Sequence, residues 1–160
     1  MLEMLNNKEL DIVFSKKIDQ FKNENIKYLS LGFLNDIFIA NKNSRLVNKI
    51  LTKKDLENET IYVPRAYAQT AIRLIKLTNN KNLNLKHSSY NTILELSSKT
   101  DSIGLITKEY IESDKMEKYN LVELKTKFEL KPIEFGIYFN IDRRKEVNYL
   151  IKIIKDKFKS

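Results

Sequence analysis

Short apolar runs and helical repeats alternate along the second half of the chain. Residues 61–63 are an apolar stretch of strand length, residues 83–87 alternate as in a strand, and residues 102–106 are again an apolar stretch. Polar residues suited to begin a helix follow the last two. Between the first two runs, residues 68–75 place alanine and isoleucine at the three- and four-residue spacing of one helix face. This order of elements is typical of an α/β protein whose strands are largely parallel.

The first and last quarters of the chain predict further strands and a long final helix. Residues 9–14, 26–31, 33–40 and 133–139 are rich in isoleucine, leucine and phenylalanine, with too little polar alternation for a solvent-facing sheet. From residue 147 to residue 158, apolar side chains recur at steps of three and four, which predicts an amphipathic helix.

Polar residues at several of these boundaries are suited to cap helices. Thr52 and Asp55 have the spacing of a capping box, in which a hydroxyl and a carboxylate each bond the other residue's backbone amide. Single caps are expected at Asn43, Ser89, Thr107 and Asp142.

Length and composition limit the class of protein. A chain of 160 residues and 18.9 kDa fits one domain or two small lobes. Since it has no cysteine and one histidine, disulfides, thiolate metal sites and zinc sites with two imidazoles are excluded. The net charge of +8 suggests nucleic acid, but most of the basic residues are lysines, so a solvated lysine-rich surface is the preferred interpretation. The longest apolar stretch, residues 28–40, is too short and too polar to cross a bilayer, and the first residues lack a secretion signal. We therefore expect a cytoplasmic protein with no membrane partner.

The residues offer little for catalysis. His87 is the only imidazole, and its neighbour Ser88 points to the opposite face of the predicted strand. The three glycines stand apart, so no glycine-rich phosphate loop is present. The sequence predicts neither an enzyme nor a bound cofactor or metal.

Binding is the better supported interpretation. Residues 64–70 and 88–92 begin helices directly after strands, and in a parallel sheet such helix starts open on the same carboxyl-end edge. Free backbone amides and an arginine there favour an anion such as a carboxylate, although helix capping alone would also explain the serines. The candidate ligand-binding residues on this edge are Arg65, Tyr67, Gln69, Thr70, Ser88 and Ser89.

The order of motifs resembles the effector-binding domain of LysR-type transcriptional regulators. The family's Gly-Glu-Leu-Asp strand is similar to Lys-Glu-Leu-Asp at residues 8–11, and its Leu-x-x-Asp-Leu turn is similar to Leu-Thr-Lys-Lys-Asp-Leu at residues 51–56. Its Gly-x-Gly-Ile strand is similar to Ser-Ile-Gly-Leu-Ile at residues 102–106, and residues 131–138 followed by one amphipathic helix also match. The resemblance covers nearly the whole chain.

This resemblance implies an α/β, periplasmic-binding-protein-like (type 2) two-lobe fold whose first lobe is incomplete. Lobe one would take residues 1–41 and 126–160, and lobe two residues 42–125. Ser15 would face the arginine edge across a cleft between the lobes, where a small anionic metabolite binds as effector.

The resemblance also bears on partners. The family's DNA-binding winged helix-turn-helix, its linker helix and the first strand and helix of lobe one have no counterpart in these 160 residues, so we expect a truncated regulator that reaches DNA only through that missing N-terminal domain. Exposed strand edges in an incomplete lobe favour a homodimer. A solute-binding module of the same fold is the alternative, and an enzyme of that fold ranks last.

Overall fold

A computed structural model describes residues 1–18, 21–65 and 68–158, which form two compact units. The first unit contains residues 1–34 and 132–160, and the second contains residues 35–131. In chain order the helices and strands are α1 (Leu2–Asn6), β1 (Ile12–Lys16), β2 (Ile26–Leu34), β3 (Asp36–Asn41), β4 (Thr60–Pro64), α2 (Ala68–Thr78), β5 (Asn84–Ser88), α3 (Tyr90–Lys99), β6 (Ile103–Thr107), α4 (Ser113–Lys118), β7 (Leu121–Glu123), β8 (Ile133–Asn140) and α5 (Lys145–Lys157).

The first unit is built on a three-stranded antiparallel sheet. Its strand order is β1-β8-β2, so β8 is paired on both sides. Apolar side chains of the sheet pack with Val147 and Ile151 of α5 in one cluster, and with Leu5 of α1 in another. Both clusters are small, and large apolar side chains of this unit remain at the surface.

The second unit is a five-stranded mixed sheet with helices packed against both faces. Its strand order is β5-β4-β6-β3-β7, in which β4 is parallel to both β5 and β6. Side chains of β3 alternate between two core clusters: Phe38 packs in the cluster of Leu74 from α2, and Ile39 in the cluster of Ile93 from α3. This alternation explains why β3 carries no polar position between its ends.

The structure confirms most of the predicted elements and the α/β class. Ser89 is the N-cap of α3 and accepts a hydrogen bond from the Thr92 amide at 3.3 Å. Thr52 and Asp55 form the predicted capping box, with bonds of 2.7 and 3.3 Å to each other's amides, although the helix they begin is one short 3-10 turn. Among the described residues, no helix has the length and apolar character needed to cross a membrane.

Three predicted caps are wrong. The side chain bonds another residue in two of them, and in the third the chain forms turns instead of a helix. Residues 42–49 form turns after Asn41, so Asn43 caps no helix. The Thr107 hydroxyl donates to Asp36 instead of capping. Asp142 pairs with Lys8, and α5 starts three residues later, at Lys145.

The chain passes from one unit to the other at positions different from the predicted lobe boundaries. The units divide at 34/35 and 131/132, whereas the sequence predicts 41/42 and 125/126. The difference at the first boundary arises because β3 pairs with β6 and β7, which places the whole strand in the second sheet.

Candidate functional site

The carboxyl ends of three parallel strands of the second unit lie at one edge of its sheet. Pro64 of β4 is the register partner of Ser88 of β5, and the Arg65 amide donates to the Ser88 carbonyl at 2.9 Å. On the other side of β4, β6 runs in the same direction and ends at Thr107. This is the edge at which open α/β sheets bind ligands.

A pocket of about 660 Å³ opens at this edge. Its volume suits a small metabolite, because ligand pockets are typically about 300–1,000 Å³. Rings and aliphatic carbons make up most of its exposed wall, so the polar groups contribute little of that surface. The described lining residues, all of the second unit, are Pro64, Arg65, Ser88, Ser89, Tyr90, Thr92, Thr107 and Tyr110.

The polar side chains of the pocket are one arginine and several hydroxyls, all of them able to donate hydrogen bonds. Arg65 is exposed, and no acidic side chain of the described residues pairs with it. The hydroxyls of Ser89 and Thr92 lie 2.8 Å apart at the start of α3. The first amides of a helix carry partial positive charge, so this end of α3 also favours an anion.

Tyr90 contributes its ring to the pocket wall, while its hydroxyl is buried. The Tyr90 hydroxyl has no hydrogen-bond partner among the described residues. Burial, with a smaller contribution from the negative charge of Glu112, raises the pKa of Tyr90 to about 12. The phenol is therefore neutral at physiological pH and adds no charge to the site.

The structure brings together three of the seven predicted site residues. Arg65, Ser88 and Ser89 line the pocket. Thr70 is buried in α2 and is not among the lining residues. Tyr67 and the side chain of Gln69 lie outside the described residues.

Ser15 lies in β1, where it is the register partner of Gly136 in the sheet of the first unit. Its place opposite Arg65 stays a prediction.

Sequence reasoning missed Thr107, Thr92 and Tyr110 as pocket residues. Thr107 could have been found, since it ends a strand predicted to be parallel to the one before Arg65. Tyr110 belongs to a 3-10 turn at Lys108–Tyr110, for which the sequence has no periodic signal. The described residues contain no cluster of three or more histidine, aspartate or glutamate side chains able to hold a metal ion.

Solved structures with similar folds are regulatory domains of bacterial transcription factors. The regulatory domain of MetR, a LysR family regulator from N. meningitidis, superposes with a TM-score of 0.76 at 16% identity, covering 98% of this chain and 74% of that one. The CcmR regulatory domain from Synechocystis, in complex with 2-PG, gives a TM-score of 0.76 at 11% identity, covering 99% and 78%. This chain has the fold of LysR-family regulatory domains. That fold is the predicted α/β, type 2 periplasmic-binding-protein-like one.

A probable transcriptional regulator from Pseudomonas aeruginosa also matches, with a TM-score of 0.78 at 14% identity. The match covers 98% of this chain and 52% of that protein, so the chain spans about half the length of this relative. No protein-family model matches the chain, and no curated protein matches it in sequence. At these identities the likeness lies in the fold, and the pocket residues carry the rest of the argument.

Proposed function

We propose that this chain is the effector-sensing domain of a LysR-type transcriptional regulator and that it binds a small anionic metabolite in the pocket beside Arg65. The observation that supports this most is the position of the pocket, at the carboxyl edge of three parallel strands in a fold shared with LysR-family regulatory domains. One of those domains was solved in complex with 2-PG. The chain acts in this proposal as a sensor in the cytoplasm and catalyses no reaction.

The pocket favours a particular class of anion. The Arg65 guanidinium can bond both oxygens of a carboxylate, and the start of α3 adds amide and hydroxyl donors. The rings of Tyr90 and Tyr110 and the aliphatic wall suit an apolar body. We therefore infer a carboxylate attached to an aromatic or aliphatic group, rather than a fully polar ion such as inorganic phosphate.

Binding would act by shifting a conformational equilibrium. A ligand changes the population of two states only by as much as its affinity for them differs. In the regulator, that shift would be passed to a DNA-binding winged helix-turn-helix, as the family resemblance implies.

Melting temperatures measured with a panel of probes test the proposal. Benzoate should raise the melting temperature, since a ligand at one hundred times its Kd stabilises the folded state by about 2.7 kcal/mol. Benzyl alcohol, which has the ring without the charge, should have little effect. Absence of a shift with benzoate and every other small carboxylate would overturn the proposal.

Substitution of the arginine locates the anion. Arg65→Ala should weaken benzoate at least about tenfold, because hydrogen bonds to charged groups contribute roughly 1.5–3 kcal/mol. Arg144→Ala is the matched control, since Arg144 is an exposed arginine of the first unit, paired with Asp11. If Arg65→Ala and Arg144→Ala bind benzoate equally well, the assignment of the pocket is wrong.

We also propose that the domain forms a homodimer through the first unit. The outer strands β1 and β2 of its three-stranded sheet each leave one backbone edge unpaired within that sheet. Phe14 on β1 and Phe33 on β2 are 56% and 60% exposed, unusually high for phenylalanine in a strand. Sedimentation equilibrium should give twice the mass of the chain, and Phe14→Lys or Phe33→Lys should lower it. A monomer at high concentration would refute the dimer.

A further inference from the structure

Side chains of the second unit bond both segments at which the chain passes from one unit to the other. These passages lie at 34/35 and 131/132. We call residues 34–36 the first crossing segment and residues 130–132 the second. Each is bonded to side chains of the second unit, and the two sets of bonds share one arginine.

Arg73 of α2 joins the two crossing segments. Its Nη1 donates to Asp36 Oδ2 at 2.9 Å, and its Nη2 donates to the backbone carbonyl of Lys131. The Asp36 side chain is only 4% exposed, so hydrogen-bond donors of the protein, rather than water, surround its carboxylate. A single guanidinium therefore holds both places where the chain leaves the second unit.

The first crossing segment is also bonded to residues that line the pocket or adjoin it. Thr107, which lines the pocket, donates its hydroxyl to Asp36 Oδ1 at 2.8 Å. Glu109 accepts from the amide and side chain of Asn35 at 2.9 and 2.7 Å, and its neighbour Tyr110 lines the pocket. Hydrogen bonds thus join the first crossing segment directly to residues at the pocket wall.

We propose that Thr107, Asp36 and Arg73 form a relay through which ligand in the pocket loosens the crossing segments; the proposal rests on the anion-binding function above. A threonine hydroxyl has one proton to donate, and in this structure Asp36 receives it. A carboxylate ligand only accepts hydrogen bonds, so it competes with Asp36 for that proton. Among the described residues, binding then leaves Arg73 as the side chain that still donates to the Asp36 carboxylate. Asp36 acts as a positioning residue and does not itself contact the ligand.

Variants of the ligand-free protein test whether Thr107 and Arg73 hold the crossing segments in place. Thr107→Val keeps the shape of the side chain and removes the donor, and Arg73→Lys keeps the charge and loses the fork that spans both segments. Hydrogen–deuterium exchange should rise about fivefold at residues 35–37 in Thr107→Val, and at both crossing segments in Arg73→Lys.

Two matched variants control for the substitutions. Thr100→Val removes a threonine hydroxyl that donates to the Leu96 carbonyl, and Arg45→Lys changes an arginine that bridges Glu59 and Asp101. Arg45 follows the far end of β3 from Asp36, so it lies away from the crossings. Exchange at the crossing segments that is the same in test and control variants would overturn the relay.

Benzoate supplies the second arm of the test. In the unsubstituted protein it should raise exchange at residues 35–37 to the level of ligand-free Thr107→Val. Thr107→Val should bind benzoate more weakly, because the ligand loses one donor, and at a benzoate concentration that saturates this variant exchange should show no further rise. An equal response in both proteins would overturn the relay while leaving the binding function intact. If benzoate and other carboxylates bind neither protein, the proposed function fails, and the ligand-free variants still decide whether the relay connects the two segments.

Discussion

Replacement of Gly104 by alanine should destabilise the second unit, because the structure has no room for a methyl group there. Gly104 lies in β6, where a Cβ atom would stand 2.6 Å from Ser97 Oγ and 2.9 Å from carbons of both Ile39 and Ile93. All three distances are shorter than the separations that carbon atoms tolerate in packed cores. The close approach of α3 to the sheet depends on this glycine, and α3 carries the Ser89 end of the pocket.

The expected loss is near the upper end of the range for overpacked cores, about 3 kcal/mol in the free energy of unfolding. In a protein of this size, a loss of that order lowers the melting temperature by about 6–12 °C. Urea unfolding followed by circular dichroism measures it. A loss below about 0.5 kcal/mol, within the range of ordinary surface substitutions, would show that α3 is not packed as described.

Ser97 provides an internal check on the same contact. Its hydroxyl is buried and has no partner among the described residues, so Ser97→Ala removes the atom nearest to the new methyl group. In the Ser97→Ala background, Gly104→Ala should therefore cost measurably less than in the original protein. Equal costs in the two backgrounds would contradict the geometry.

Three further predictions concern single side chains. Ser89→Ala should lower the free energy of unfolding by about 1 kcal/mol, because the cap of α3 is lost. Ser88→Ala removes no cap and should lower it less. Equal losses in chemical denaturation would contradict the capping role of Ser89. Tyr90→Phe removes a buried hydroxyl without a described partner, so stability should stay the same or rise; a loss above about 1 kcal/mol would reveal a bond to that hydroxyl. Hydrogen bonds from Lys49, and to a smaller extent from Thr52, hold the pKa of Asp55 well below its ordinary 3.8. The ionised Asp55 therefore stabilises the folded state above pH 3.8, and this stabilisation is lost as the pH falls through the lower pKa of the folded state. Acid unfolding of Asp55→Asn should accordingly lack this part of the pH dependence, and acid titrations that are identical for the two proteins would refute the pairing.

The features that could be predicted are those that depend on residues close together in the sequence. The Ser89 cap, the Thr52 capping box and the strand ending beside Arg65 depend on neighbouring residues, and the structure has all three. Asn43 is a predicted helix cap, but residues 42–49 form turns, since the chain passes from β3 back towards β4 there. Short segments of that kind are decided by the packing around them rather than by their own periodicity.

Contacts between residues that are far apart in the sequence could not be predicted. Thr107 and Asp36 are 71 positions apart, and their hydrogen bond follows from the antiparallel register of β3 and β6. The basic residues just before α5 show the same limit. Arg143 stacks over the Phe139 ring at 4.5 Å and Arg144 pairs with Asp11, contacts that explain basic residues where the helix dipole disfavours them.

A nuclear magnetic resonance titration with benzoate tests the central claim most directly. If the pocket beside Arg65 binds small carboxylates, the largest amide shifts should fall at Arg65, Ser89, Tyr90 and Thr107, with smaller ones at residues 35–37. The first unit has its own pocket, formed in part by Phe21, Tyr28 and Tyr138. Largest shifts at those residues, or no shifts at saturating benzoate, would contradict the account.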